Sequence, residues 1–164
     1  MIHPITIPAA LELVVFDLDY TLWDAGGTWC DCLSPPFRRD RGRVLDRRGG
    51  HIRLYEDVPA IMDALDEAGV RMGLASRTHE PEWARELLDL LGVRSRFEIE
   101  EIYPGEKTAH FDQLQRKSGV ALEQMLFFDD ESRNIRAVGR MGVSCVEVRS
   151  GMSWEVFRRG LGMV

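Results

Sequence analysis

At 164 residues, with 45% apolar and 29% charged side chains, the chain is long enough for one domain with a proper core and has an ordinary globular balance. A formal net charge of −6 argues against a nucleic-acid or anionic-membrane partner, which would call for a basic face, while leaving room for a small anionic substrate. No apolar run approaches the roughly 20 residues of a membrane span, and Met1 to Pro8 lacks the basic start and long apolar core of a secretory signal. Three cysteines, Cys30, Cys32 and Cys145, suit reduced thiols in a cytoplasmic protein better than a disulfide framework.

Pro4 and Pro8 predict an irregular lead-in over residues 1–10. Leu11 and Leu13-Val14-Val15-Phe16, broken only by Glu12, then read as a strand over about Glu12–Asp17 buried on both faces, as in the centre of a parallel sheet. Asp17 and Asp19 follow at its carboxyl end. Buried charges cost several kcal/mol each unless paired or metal-bound, roughly speaking, and ligands of open α/β sheets bind at that edge. Asp17 and Asp19 are therefore expected to hold a cation and do chemistry.

From about residue 23 to 55 the pattern weakens into a loop insertion. Gly26-Gly27, Pro35-Pro36, Gly42 and Gly49-Gly50 punctuate it, and Val44-Leu45-Asp46 with His51-Ile52-Arg53-Leu54 reads as a short β-hairpin. Its cluster of Arg38, Arg39, Arg41, Arg43, Arg47 and Arg48 fits either a solvated loop or a positive rim near an anionic substrate. Cys30-Asp31-Cys32 lacks the Cys-x-x-Cys spacing of most zinc and redox sites, and Cys145 reads as core.

Beyond the insertion, strands and helices alternate. A helix over Val58–Ala68, with Asp57 as N-cap, leads to a strand over Val70–Ala75 that ends in Ser76-Arg77-Thr78. A helix over Pro81–Leu91 turns Trp83 and Leu87 inward. Phe97-Glu98-Ile99-Glu100-Glu101-Ile102 alternates like a half-exposed edge strand. Tyr103-Pro104-Gly105-Glu106-Lys107 forms a turn before a helix over Thr108–Ser118. Gln124–Phe128 makes a strand running into Asp129-Asp130-Glu131, followed by a helix over Ser132–Met141, a strand over Val143–Val148 and a last helix from Ser153. This alternation predicts a single α/β domain over residues 1–164, with helices on both faces of a parallel five-stranded sheet in the order 3-2-1-4-5 and no large cap domain.

That order gathers Asp17 and Asp19, Ser76, Lys107, and Asp129 and Asp130 along one edge. Four carboxylates repel one another unless a hard cation intervenes, and oxygen ligands with room for water favour Mg²⁺. A cation, a lysine and a hydroxyl together suit a phosphoryl group, with one carboxylate to attack and another to move protons.

Asp17-Leu18-Asp19-Tyr20-Thr21-Leu22, Ser76, Lys107 and Asp129-Asp130, in that order, resemble the four motifs of the haloacid dehalogenase (HAD) superfamily of phosphohydrolases over nearly the whole stretch from Leu11 to Val148. Trp23, Ala75-Ser76-Arg77-Thr78, Ile102-Tyr103-Pro104-Gly105 and Arg133-Asn134-Ile135 narrow the resemblance to the small, capless magnesium-dependent phosphatases of that superfamily. The resemblance implies an aspartyl-phosphate mechanism with Asp17 as nucleophile and metal ligand. Asp19 would be the general acid and base and lend its carbonyl to the metal, with Asp130 a direct ligand and Asp129 holding metal-bound water. Ser76, Lys107 and the amides of Leu18 and Asp19 would bind phosphoryl oxygens, and Arg77 a phosphate or substrate anion.

The implied substrates are aryl or tyrosine phosphates, or sugar phosphates, carried on a small molecule or a protein side chain. A phosphoryl or glyceryl transferase using the same covalent step is the enzymatic alternative. A phospho-accepting receiver domain is the alternative from another class. A receiver places its acidic pair first in the chain, whereas Asp129-Asp130 comes last here, after Lys107.

Overall fold

The structure, a computed structural model, describes residues 5–164, so Pro4 and the three residues before it lie outside it. The apolar run forms strand β1 (Leu13–Phe16), buried along its whole length. Val14 and Phe16 enter one hydrophobic core and Leu13 and Val15 another, the two-period of a strand covered on both sides.

In chain order β1 is followed by β2 (Trp23–Ala25), β3 (Arg38–Asp40), β4 (Arg43–Leu45), β5 (His51–Leu54), α1 (Val58–Glu67), β6 (Arg71–Ser76), α2 (Pro81–Leu90) and β7 (Ile99–Ile102). Then come α3 (Lys107–Ser118), β8 (Met125–Asp129), α4 (Ser132–Gly139), β9 (Ser144–Glu147) and α5 (Trp154–Leu161). The main sheet runs β7-β6-β1-β8-β9, all parallel, which is the expected 3-2-1-4-5 order. Apolar side chains of α1, α2, α5 and the insertion cover one face, and those of α3 and α4 the other. Each large apolar side chain removed from water contributes about 1.5–3 kcal/mol, so the two cores hold β1 and its carboxyl end rigidly between them. α5 lies especially close to the sheet: a Cβ on Gly160 would meet the Phe128 ring at 2.7 Å. Among the described residues, no helix is long and apolar enough to cross a membrane.

The hairpin forms as expected, with Val44 opposite Ile52 and Leu45 opposite His51. It is half of a four-stranded antiparallel sheet, β2-β5-β4-β3, whose other two strands have only three residues each. Asp46 ties its turn together, accepting backbone N–H bonds from Ser34, Arg48 and Gly50 at 2.7–3.0 Å. The arginines do not form a rim over the carboxyl edge of the main sheet. Arg39 donates to the carbonyl of Leu90 at the far end of α2, and Phe37 packs edge-on against Trp83 with ring centroids 6.0 Å apart. The apolar side chains Phe37 and Trp83 pull this sheet onto the flank of α2, so the basic tip points away from the edge where the aspartates sit.

Smaller departures have local causes. Asp57 does not cap α1; its carboxylate instead accepts from the Trp154 amide at 3.0 Å, fastening α1 to α5. Ser153 does cap α5, through the Val156 amide. Lys107 is the first residue of α3 rather than part of the turn, and Asp129 is the last residue of β8. β7 is an edge strand, yet Glu101 in it is buried, with Lys117 of α3 at 2.6 Å. Cys145 is half-buried at the rim of the second core.

Candidate active site

Beyond β1 the chain makes one tight turn in which the Leu18 carbonyl accepts from the amides of Thr21, Leu22 and Trp23 at 2.8–3.2 Å. The amides at the start of such a turn, those of Leu18 and Asp19, find no carbonyl within it. Tyr20 takes a left-handed conformation, φ 61°, and anchors its hydroxyl on the Gly27 carbonyl at 2.8 Å. Asp17 and Asp19 both stay buried and both face the cleft.

Lys107 reaches Asp17 from the start of α3. Its ammonium, 1% exposed, donates to Asp17 Oδ1 at 3.0 Å, Asp129 Oδ2 at 2.9 Å and the Ala75 carbonyl at 2.6 Å. An ammonium has three N–H groups, so all of them are taken by protein. Burial alone would lower its pKa, but the two carboxylates outweigh that and raise it, so Lys107 stays charged. Asp129 is heavily engaged as well: Oδ2 also accepts from Asn134 Nδ2 at 3.1 Å, and Oδ1 from the Glu131 amide at 2.7 Å, so three of its roughly four acceptor positions are taken. Asp130, half-buried beside it, lines the cleft.

Asp17, Asp129 and Asp130 each offer an oxygen within 4.8 Å of the others. Burial raises the pKa of Asp17 despite Lys107; it lifts Asp129 to about 6 and, with the Asp17 charge, Asp130 to about 9. Three carboxylates share one ammonium, and the surplus negative charge is met either by protons or by a cation. The donor set is all oxygen, which fits a hard divalent cation, and Asp17 and Asp130 are less engaged by protein donors than Asp129.

Asp19 belongs to a different network. Its Oδ1 accepts from the Trp23 indole at 2.7 Å and from the Cys30 amide at 3.0 Å, while burial, outweighing both, raises its pKa. The Cys30 thiol, pushed up by burial, rests on Thr78 Oγ1 at 3.4 Å and stays protonated; it is no thiolate nucleophile.

Ser76 ends β6, buried, with Oγ accepting from the Thr78 amide at 3.3 Å; it does not cap α2, which begins at Pro81 without a side-chain cap. Its carbonyl and that of Tyr103 both meet Nε2 of His110, at 2.9 and 2.8 Å. His110 lies on α3 one turn from Lys107, so the ends of β6 and β7 are fastened to the helix that carries the lysine. Arg77 is held by the Gly105 carbonyl at 2.7 Å and faces Glu131 at 3.9 Å. The cleft, about 220 Å³, is walled by Trp29, Asp31, Thr78, Arg77, Glu131, Arg133 and Asn134 around Asp17, Asp19, Asp130, Ser76 and Lys107, with Asp129 behind Lys107.

Comparison with known proteins fits this geometry. A family model described as Acid Phosphatase matches residues 9–164. Over 152 residues the chain is 46% identical to human Magnesium-dependent phosphatase 1, covering 92% of this chain and 85% of that protein. A HAD-like hydrolase superfamily protein of Schizosaccharomyces pombe is 38% identical over 149 residues, 83% of this chain and 84% of that one. The chain belongs to the acid phosphatase family, within the HAD superfamily. It is a phosphatase.

The fold of that superfamily recurs in solved structures of low identity. The N-terminal part of BF1531 from Bacteroides fragilis, which contains a phosphatase domain and was solved with Mg, aligns with a TM-score of 0.65 at 15% identity over 94% of this chain and 41% of that one. CbbY from Rhodobacter sphaeroides, solved with phosphate, aligns at 0.63 and 15% identity over 84% and 85%.

Every residue singled out from the HAD motifs meets at this one edge. The polar residues that hold them there were less visible. Asn134 carried a signal, as a polar residue five positions after Asp129 on the inner face of a helix. His110 and Cys30 carried none: His110 meets backbone carbonyls, and it is the backbone N–H of Cys30 that reaches the Asp19 carboxylate. Trp23 entered only among the residues of the resemblance, and nothing in the sequence linked its N–H to Asp19.

Proposed function

We propose that this phosphatase is a Mg²⁺-dependent phosphomonoester hydrolase working through an aspartyl-phosphate at Asp17, on aryl or tyrosine phosphates or sugar phosphates. The observation that carries the reading is the pairing of Asp17 and Asp19 at the end of β1. One carboxylate is fixed by the Lys107 ammonium at 3.0 Å, while two residues on a second carboxyl is held by neutral donors in a separate network. A nucleophile must be ionised and an acid must hold a proton, and the two environments differ in that sense.

Mg²⁺, the ion in the human relative's name, would be held by Asp17, Asp130 and the Asp19 carbonyl, and would neutralise phosphoryl oxygens as a Lewis acid. Lys107 opposes the protonation of Asp17 that burial favours and holds Asp129 in place. Asp17 attacks phosphorus; the ester P–O bond breaks, and the proton of Asp19 passes to the leaving oxygen. Asp19 then takes a proton from the incoming water, the bond from phosphorus to Asp17 breaks, and inorganic phosphate leaves. The Ser76 hydroxyl, Arg77 and the turn amides of Leu18 and Asp19 bind phosphoryl oxygens; because the Lys107 donors are all occupied, its contribution to phosphate is mainly its charge. Asp129, its oxygens already accepting three bonds, supports the site from behind. Among the described residues no further domain lies over the cleft, which admits a bulky phosphorylated group as well as a small one.

Incubation with p-nitrophenyl phosphate tests the reading. Multiple turnovers that stop with chelator, return with Mg²⁺ and vanish in Asp17→Asn are expected, with phosphate trapped on Asp17 in a rapid acid quench. A single phosphorylation without turnover, or full activity in Asp17→Asn, refutes it.

A further inference from the structure

Both donors to Asp19 meet the same oxygen. The Trp23 indole N–H and the Cys30 backbone N–H converge on Oδ1, at 2.7 and 3.0 Å. A carboxyl oxygen already taking two N–H groups cannot also carry the acid proton, because its lone-pair directions are used. The proton of a neutral Asp19 therefore sits on Oδ2.

We propose that Trp23 is a positioning residue: with the Cys30 amide it locks the Asp19 carboxyl so that Oδ2 alone carries the proton and presents it to the leaving oxygen. This rests on the reading of Asp19 as the acid and base. Trp23 is suited to the task because burial and backbone bonds tie it to the turn that carries Asp19. It is fully buried, pairs with Leu54 as the first residue of β2, and closes the turn around Asp19 through its own amide on Leu18 O at 3.2 Å and its carbonyl on Tyr20 N at 3.0 Å. Cys30 is fixed in its turn by the bond from its thiol to Thr78. The insertion sheet, whose arginines lie away from the cleft, thus reaches the chemistry through two N–H groups.

The proton matters only where the leaving oxygen is basic. Asp17 gains the phosphoryl group, the ester P–O bond breaks, and its electron pair takes the Oδ2 proton to give a neutral alcohol or phenol. p-Nitrophenolate departs without that proton; a p-methoxyphenolate or alkoxide does not. When the lock is lost, the carboxyl turns freely about its last bond and its proton is divided between two oxygens, only one of which is aimed.

Trp23→Phe removes the N–H and keeps an aromatic ring in the buried position. kcat/KM is measured for a series of aryl phosphates from p-nitrophenyl to p-methoxyphenyl, with an alkyl phosphate as the extreme. The expected loss is about threefold for p-nitrophenyl phosphate and about thirtyfold at the basic end, short of the roughly 10²–10⁴ that a general acid supplies in full, because the acid is misaimed rather than removed. Equal losses across the series, or none, overturn the proposal, because a structural defect does not sense the leaving group. Should Trp23→Phe fail to fold, β-(3-benzothienyl)alanine placed at position 23 replaces N–H by sulfur in the same outline and is judged by the same ratio. Asp19→Asn is run alongside. If it too loses activity equally across the series, the acid reading itself fails; if it discriminates and the Trp23 variants do not, only the positioning role fails.

Discussion

Lys107→Met isolates the charge on which the site depends. Methionine keeps an unbranched chain in the same pocket above Phe127, whose ring centroid lies 5.2 Å from Nζ, so the packing is largely kept and the ammonium is lost. Removing one partner of a buried ion pair costs about 3–5 kcal/mol. Here one cation serves Asp17 at 3.0 Å and Asp129 at 2.9 Å, which argues for the upper half of that range at neutral pH. The deficit depends on pH in a definite direction. Burial already raises both carboxyls despite Lys107, Asp129 to about 6, and without the ammonium both rise further. A group whose folded-state value is raised gives its full stability below the unfolded-state value and loses it as pH rises through the folded-state value. At pH 5 the variant's carboxyls are therefore protonated and the loss is partly relieved. At 1.4 kcal/mol per pH unit for one proton, the interval from about 6 to 7.5 adds about 2 kcal/mol to the deficit. Urea unfolding in the presence of chelator, at pH 5.0 and 7.5 for both proteins, measures it. A deficit of about 4 kcal/mol at pH 7.5 that shrinks by about half at pH 5.0 is expected. A deficit under about 1 kcal/mol, or one that is the same at both pH values, refutes this electrostatic account.

Two further predictions concern the insertion and the loop beside it. Asp46→Ala strands three backbone N–H groups, each bonded to a charged acceptor, and should cost about 2–3 kcal/mol at pH 7 by urea unfolding. Burial opposes ionisation of Asp46, but the amides of Ser34, Gly50 and Arg48 outweigh it and hold its pKa below the ordinary value; the stability it supplies is present above the unfolded-state value and is lost as pH falls through the folded one, so the gap between the two proteins should narrow in acid. Gly151→Ala would force a left-handed backbone, φ 79°, on a residue whose Cβ would lie 2.3 Å from the Tyr55 ring. Overpacking and strain together are expected to cost about 2–4 kcal/mol, a drop of roughly 5–10 °C in Tm by calorimetry; a drop under about 2 °C would mean that Tyr55 swings clear.

The sheet order was legible because burial writes itself into composition. β1 is apolar without alternation and lies at the centre; β7 alternates with acids and lies at the edge. The HAD motifs were legible because carboxylates at the end of such a strand have no structural use. β2 and β3 were not, since three residues carry too little periodicity to register; the partner of β2 lies far along the chain, and β3 is exposed throughout. Asp57 had every local mark of an N-cap, but the amide of Trp154, ninety-seven residues away, offers a better partner. The arginines had the right charge for a substrate rim, and it was Phe37 against Trp83 that took them to the flank of α2 instead.

The sequence by itself determined the parallel α/β sheet, the edge where its polar residues gather, and the identity of Asp17, Asp19, Ser76, Lys107, Asp129 and Asp130 as the groups that meet there. These follow from local pattern, because burial on both faces and charge at a strand end are properties of adjacent residues. Only the tertiary structure decided how the carboxylates are told apart. Asp17 and Asp129 share the ammonium of Lys107, Asp129 is closed off by Asn134 and the Glu131 amide, and Asp19 is turned by Trp23 and Cys30. Identical side chains differ only through the donors around them, and those donors come from positions that nothing but the folded chain brings together.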